Sequence, residues 1–153
     1  MKILYYEVKY DWTDLFRRKV IVATNCYVGK LNEDNTVDCI FIKFNGHYED
    51  VGADLLKDFN NEYSAHVLIT SGNGNTLYDK RKDQPYKMSF EEYDKIFEDT
   101  FIEYAYLWKD NQWYGKDCYD KEEGIKGMGY KEFTPLNQIL IPIEKKIVEY
   151  QLR

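Results

Sequence analysis

Cys39-Ile40-Phe41-Ile42-Lys43-Phe44-Asn45-Gly46-His47-Tyr48-Glu49-Asp50-Val51-Gly52-Ala53-Asp54-Leu55-Leu56 is the stretch on which the reading of the fold turns. Cys39 to Phe44 is apolar except for Lys43, which suits a short strand covered on both faces. Asn45 and Gly46 both tolerate positive φ and should end it. Asp50 is placed to accept hydrogen bonds from free backbone N–H groups as a helix N-cap. Val51, Leu55, Leu56 and Phe59 then recur at helical spacing, with Asp54, Lys57 and Asp58 between them. A strand and a helix therefore meet at a loop that displays His47, Tyr48 and Glu49. Loops braced by rigid elements are where binding groups gather.

Outward from this stretch the chain alternates short β and α signals. Leu4, Tyr6, Val8 and Tyr10 alternate with polar residues as a strand does. Val20–Leu31 and Thr36–Phe44 are β-rich runs flanking Asn32-Glu33-Asp34-Asn35, a hairpin signal. That hairpin should bring Cys26 and Cys39 nearly opposite each other, as core thiols and not as a redox pair. Glu62–Ile69 is read as a helix with Tyr63, Val67 and Leu68 on its stripe, ended by Gly72. Ser71-Gly72-Asn73-Gly74-Asn75 lacks the Gly-Lys-Ser/Thr of a phosphate loop and reads as a turn. Tyr78–Met88, with Pro85, reads as a loop.

Ser89-Phe90-Glu91-Glu92 forms a capping box, and Phe90, Tyr93 and Phe97 follow at helical spacing. Ile102, Tyr104, Tyr106 and Trp108 alternate with Glu103, Ala105 and Leu107, the strongest strand signal in the chain. Lys109-Asp110-Asn111-Gln112 should turn it back, so that Trp108 faces Trp113 across a strand pair. Asp117–Gly129 is charged and glycine-bearing, a surface loop. Thr134-Pro135 suits a helix N-cap and first position, with a short helix near 135–140. The tail from 141 to 153 fits either a helical or a strand period. The sum is α+β: a single domain spanning 1–153, an antiparallel sheet of about six strands and three or four short helices.

Composition narrows function. Charged residues make up 31% of the chain and its formal net charge is −6. That balance opposes binding to a phosphate backbone and suits a basic partner. The basic runs Arg17-Arg18-Lys19 and Lys80-Arg81-Lys82 are short. Aromatics reach 17%, which argues against disorder and suits interfaces. The N-terminal residues lack a secretory signal, and no apolar run approaches the ~18–20 residues of a membrane span, so cytosolic residence is expected. Three cysteines, without a C-x-x-C, do not read as a disulfide framework. The two histidines, His47 and His66, and these cysteines show no paired zinc spacing. No nucleophile elbow is present. Neither a metal nor another cofactor is expected, and the chain reads as non-catalytic.

The run Ile40–Leu56 resembles a group of small proteins of bacterial phages and prophages. Those proteins carry an aromatic strand, Asp-Gly-Tyr, then Val-Gly and Leu-Leu at this spacing. Asn45-Gly46-His47-Tyr48, Val51-Gly52 and Leu55-Leu56 stand at the matching places. Glu103–Trp108 with Asn111-Gln112-Trp113 is similar to their Tyr-Leu-Tyr and Trp hairpin. This chain departs in having Lys43-Phe44 where members often have His-Trp, and His47 inserted after Gly46. The resemblance implies an anti-defence role, as an anti-CRISPR-like inhibitor in the host cytosol. Its acidic aromatic face would cover a basic, nucleic-acid-handling surface of a host defence protein. The expected binding residues are Phe44, Asn45, His47, Tyr48, Glu49, Tyr104, Tyr106, Trp108 and Trp113. Two alternatives stand beside it: a sponge for a signalling nucleotide, with Trp108 stacking the base, and an immunity protein that neutralises a toxin. A second copy of the chain is a further possible partner; direct nucleic-acid and membrane binding are not expected.

Overall fold

The structure, a computed structural model, describes residues 24–79, 83–98, 100–120 and 128–140. The strand expected at 4–10, both basic runs and the tail from 141 lie outside these residues.

The hairpin around the polar tetrad forms as expected. Strand β1 (Cys26–Leu31) pairs antiparallel with β2 (Thr36–Ile42), setting Cys26 opposite Ile42 and Leu31 opposite Val37. Asn35 takes a positive φ of 66°, and Asp34 accepts from the Thr36 hydroxyl at 2.5 Å, so the turn residues hold themselves. A helical segment follows: a π-helical turn (Tyr48–Gly52), α1 (Ala53–Asp58) and α2 (Glu62–Thr70). Then come β3 (Tyr86–Ser89), α3 (Phe90–Asp94), β4 (Tyr104–Lys109), β5 (Gln112–Asp117) and β6 (Thr134–Pro135). One sheet collects the strands in the order β3-β2-β1-β4-β5-β6. Every neighbouring pair is antiparallel except β1 and β4, which run parallel at the centre. The α+β class with a mostly antiparallel, six-stranded sheet is the one expected; the central parallel pair is an addition to it.

Both sheet faces are covered. Cys26, Val28, Ile40, Ile42, Tyr104, Tyr106, Trp108 and Trp113 pack beneath Val51, Leu55, Leu68, Ile69 and Leu136. On the other face Val37, Cys39, Ala105 and Leu107 pack against Tyr93 and Ile96. This is why β4 is buried along five consecutive residues from Tyr104 to Trp108, each contributing to one layer or the other. Each large side chain so buried contributes about 1.5–3 kcal/mol.

Local sequence signals held where they depended on near neighbours. The Ser89–Glu92 capping box is made in both directions. Asp110 and Asn111 both take positive φ, the two-residue hairpin turn that their side chains tolerate. It sets Trp108 opposite Trp113, with ring centroids 5.4 Å apart and edge to face. Gly72, at φ +86°, ends α2.

Other expectations are corrected. Cys26 and Cys39 are both buried free thiols, but register puts Cys39 opposite Gly29, and the two point to opposite faces. Residues 86–89, expected in a loop, are an edge strand on β2. The buried stripe of α2 is Ala65, Leu68 and Ile69, whereas Tyr63 and Val67 face outward. Thr134-Pro135 pairs with β5 as a strand and does not cap a helix, although the short helix expected near 135–140 is present from residue 136. Asp117 is fully buried and not part of a surface loop. Among the described residues no helix is long and apolar enough to cross a membrane.

Candidate functional site

The site is assembled where β2 runs out. Beyond Ile42 the strand is continued by a second partner: Lys43 and Phe44 donate their N–H groups to Gly74 and Asn75 carbonyls at 3.1 and 3.0 Å. The Ser71–Asn75 turn is thus a brace, and Asn73 Oδ1 accepts from Phe41 N–H at 2.7 Å. Asn45 then turns the chain at φ 58°. Gly46 does not need positive φ; it is needed because a Cβ there would lie 2.9 Å from the Thr24 carbonyl oxygen.

The next residues form no simple capped helix. His47 precedes the π-helical turn without a side-chain cap, so the N-cap expected of Asp50 is not made. The i to i+5 bond from Gly52 N–H to His47 O, at 3.3 Å, widens this turn. Wide turns of this kind recur at functional sites. In the sequence Asp50, Asp54 and Asp58 follow at four-residue steps, which sets them along one side of the turn and α1.

A cavity of about 330 Å³ opens against this side, lined by Phe44, Asn45, Asp50, Val51, Asp54, Thr76, Leu77 and Tyr78. Its wall is partly aromatic and apolar, and its charged groups are the carboxylates of Asp50 and Asp54. Tyr78 is half exposed, donates to Asp58 Oδ2 at 2.5 Å and packs its ring 5.9 Å from Phe59. Burial raises the Asp54 carboxyl above the ordinary carboxylate range, helped by the charges of Asp50 and Asp58. The Phe44 ring already carries one cation, with Lys43 Nζ 5.2 Å from its centroid. The cavity thus sets two carboxylates beside apolar and aromatic side chains.

Phe44, Asn45 and the neighbouring turn were expected to bind, and Phe44 and Asn45 line this cavity. Asp50, Asp54, Thr76, Leu77 and Tyr78 were missing from that expectation; the four-residue spacing of Asp50, Asp54 and Asp58 was the signal available for the acidic side.

The other expected site residues lie elsewhere. His47 and Tyr48 are not displayed in a loop but buried, at 7% and 0% exposure. Tyr104, Tyr106, Trp108 and Trp113 are core residues, all at 2% exposure or less, so no partner meets an aromatic platform built from them. Tyr48 packs edge-on to Tyr104 at 4.9 Å and to Tyr106 at 6.0 Å. The Tyr106 hydroxyl donates to Gly46 O at 2.6 Å, and Trp108 Nε1 donates to Glu62 Oε2 at 2.7 Å. These rings hold the site from beneath. Among the described residues the exposed aromatics are instead Tyr63, Tyr78, Tyr86 and Phe101.

His47 lies between a hydroxyl and a carboxylate: Nε2 is 3.3 Å from Thr24 Oγ1 and Nδ1 is 3.7 Å from Asp50 Oδ2. The order hydroxyl, imidazole, carboxylate is that of a nucleophile relay. Thr24, however, is buried at 5% exposure, and 3.7 Å is too long for an orienting hydrogen bond. The arrangement positions the turn and offers no reachable nucleophile. Against the expectation of no metal site, His47, Glu49 and Asp50 bring potential ligand atoms within 4.8 Å of one another.

Comparison with family models, with curated proteins and with solved structures gives no match.

Proposed function

We propose that this chain is a non-catalytic binding protein whose acidic, aromatic-walled cavity takes a lysine- or arginine-bearing surface of a protein partner. The observation that carries this reading is the meeting of Asp50 and Asp54 with Phe44 and Tyr78 around one cavity. A long cationic side chain would lay its methylenes on Val51 and Leu77 and set its charge between the carboxylates. The cost of holding Asp54 ionised in a half-buried place is offset when a cation arrives. A net charge of −6 would steer a basic surface toward the site over about a Debye length.

The partner class follows from charge and from the resemblance to phage and prophage proteins. A host defence protein that handles nucleic acid presents such a basic surface. Occupying it in the host cytosol would block the effector, an anti-CRISPR-like inhibition. The nucleotide sponge is less well supported, because the carboxylates lining the cavity repel phosphate. Like charges also count against a second copy of the chain as the occupant. A toxin-neutralising immunity protein would use the same acidic chemistry, and a toxin gene alongside would favour it.

The test is capture from bacterial lysate with wild-type protein and with Asp50→Asn/Asp54→Asn. Recovery of a nucleic-acid-handling defence protein by the wild type alone, weakening with salt, supports the reading. Recovery of none, or equal recovery by both proteins, counts against it.

A further inference from the structure

We propose that the π-helical turn is also a binding site for a first-row divalent cation, held by His47 Nδ1 and the carboxylates of Glu49 and Asp50.

The donor set comes from four consecutive positions, His47 to Asp50, which the widened turn gathers. The candidate atoms lie within 4.8 Å of one another, and Nδ1 and Asp50 Oδ2 are 3.7 Å apart. Ligands about 2.0–2.2 Å from a tetrahedral ion lie about 3.3–3.6 Å apart, so atoms separated by as much as 4.8 Å must draw in by about an ångström to close the set. One imidazole with two carboxylates suits zinc or manganese better than the all-oxygen ions calcium and magnesium.

The surroundings fit as well as the donors. A metal-bound imidazole ordinarily donates its other ring N–H to a fixed acceptor, and Thr24 Oγ1 stands 3.3 Å from Nε2 to receive it. That tautomer points the Nδ1 lone pair toward a carboxylate oxygen, a pairing that a cation between them stabilises. Tyr104 supplies an independent observation. Its side chain is fully buried, its hydroxyl has no hydrogen-bond partner among the described residues, and its ring lies 5.4 Å from the His47 ring. A buried donor with no acceptor costs free energy, and a water on the cation would satisfy it. His47, Glu49 and Asp50 each make other interactions too, so the ion competes with these for its ligands. The site overlaps the cavity at Asp50 only: Glu49 and Tyr104 do not line the cavity, and Asp54 belongs to the cavity alone.

The full chain, stripped with chelator, is titrated with Zn²⁺ and with Mn²⁺ and then dialysed. One ion per chain and a chelator-reversible rise in melting temperature are expected. Glu49→Gln and Asp50→Asn should each weaken binding by more than about tenfold, and Tyr104→Phe by about tenfold through its water. Asp54→Asn should leave metal affinity unchanged, which separates this site from the cavity. Cu²⁺ in the same site should display hyperfine coupling to a single imidazole nitrogen, absent in His47→Gln. Substoichiometric binding of both metals, affinity indifferent to Glu49→Gln in a folded variant, or a spectrum without nitrogen coupling would overturn the assignment.

Discussion

The Tyr48 hydroxyl donates a 2.6 Å hydrogen bond to Asp117 Oδ2, joining the π-helical turn to the end of β5 across 69 residues of sequence. The Asp117 carboxylate is fully buried, and backbone N–H groups of Tyr119, Gly129 and Tyr130 also donate to it at 2.9–3.0 Å. A buried charge is tolerable only with such a cage. The cage fixes the level of the turn against the sheet, and the turn carries Asp50 to the cavity. Tyr48→Phe should lower unfolding free energy by about 1–3 kcal/mol, because Asp117 then lacks one of its donors. Urea denaturation of the variant checks this; unchanged stability would mean that the contact does not anchor the turn.

Buried phenols make the fold sensitive to alkali. Burial raises the pKa of Tyr48, Tyr93, Tyr104 and Tyr106 well above the usual value of 10.0. The native state therefore keeps protons that the unfolded chain releases. Their contribution is intact below about pH 10 and is lost as pH rises toward the raised values, by about 1.4 kcal/mol per pH unit per proton. Phenolate absorbance should rise in two stages, the last of them the buried set ionising together with unfolding. A single stage with the fold retained would contradict the burial.

Asp54 follows the same sign in a lower pH range. Its carboxyl is raised by burial and by its acidic neighbours, so the folded chain holds the proton more tightly than the unfolded one. Stability is fullest below the ordinary carboxylate range and declines as pH rises through the raised value. Asp54→Asn should thus raise the melting temperature at neutral pH while weakening capture of a basic partner. Thermal melts at neutral and acidic pH check this: the gain should shrink in acid.

Gly46 tests the base of the site. A methyl group there would meet the Thr24 and Asn25 backbone at 2.9–3.0 Å, and the Gly46 carbonyl is the acceptor for Tyr106. Gly46→Ala should cost about 1–3 kcal/mol from the enforced shift. It should also weaken partner capture, since Asn45 and Phe44 would move with it. Urea denaturation beside lysate capture reads both.

The sequence was legible where a structure depends on residues close along the chain. The Ser89–Glu92 box, the Asp110-Asn111 turn and the facing Trp108 and Trp113 all follow from short-range rules. What failed depends on distant pairing. Tyr86–Ser89 has no apolar pattern of its own and becomes a strand because β2 offers an edge. The register of β1 on β2 decides that Cys26 and Cys39 never meet. His47 and Tyr48 look like loop residues until Asp117 and Tyr104 close over them. Of the candidate site, Phe44 and Asn45 were visible at the end of the apolar run. Asp50 and Asp54 were visible too, but as a cap and a solvated position, because only the π-helical turn and Tyr78 make a cavity of them.

The central claim is that Asp50 and Asp54, with Phe44 and Tyr78, form a receptor for basic side chains. Calorimetric titration with a short peptide rich in arginine and lysine, run at low and high salt, tests it most directly. The account predicts saturable binding that weakens as salt rises and is lost in Asp50→Asn/Asp54→Asn, whose fold is retained. Absence of binding at low salt, or equal binding by that variant, would contradict it.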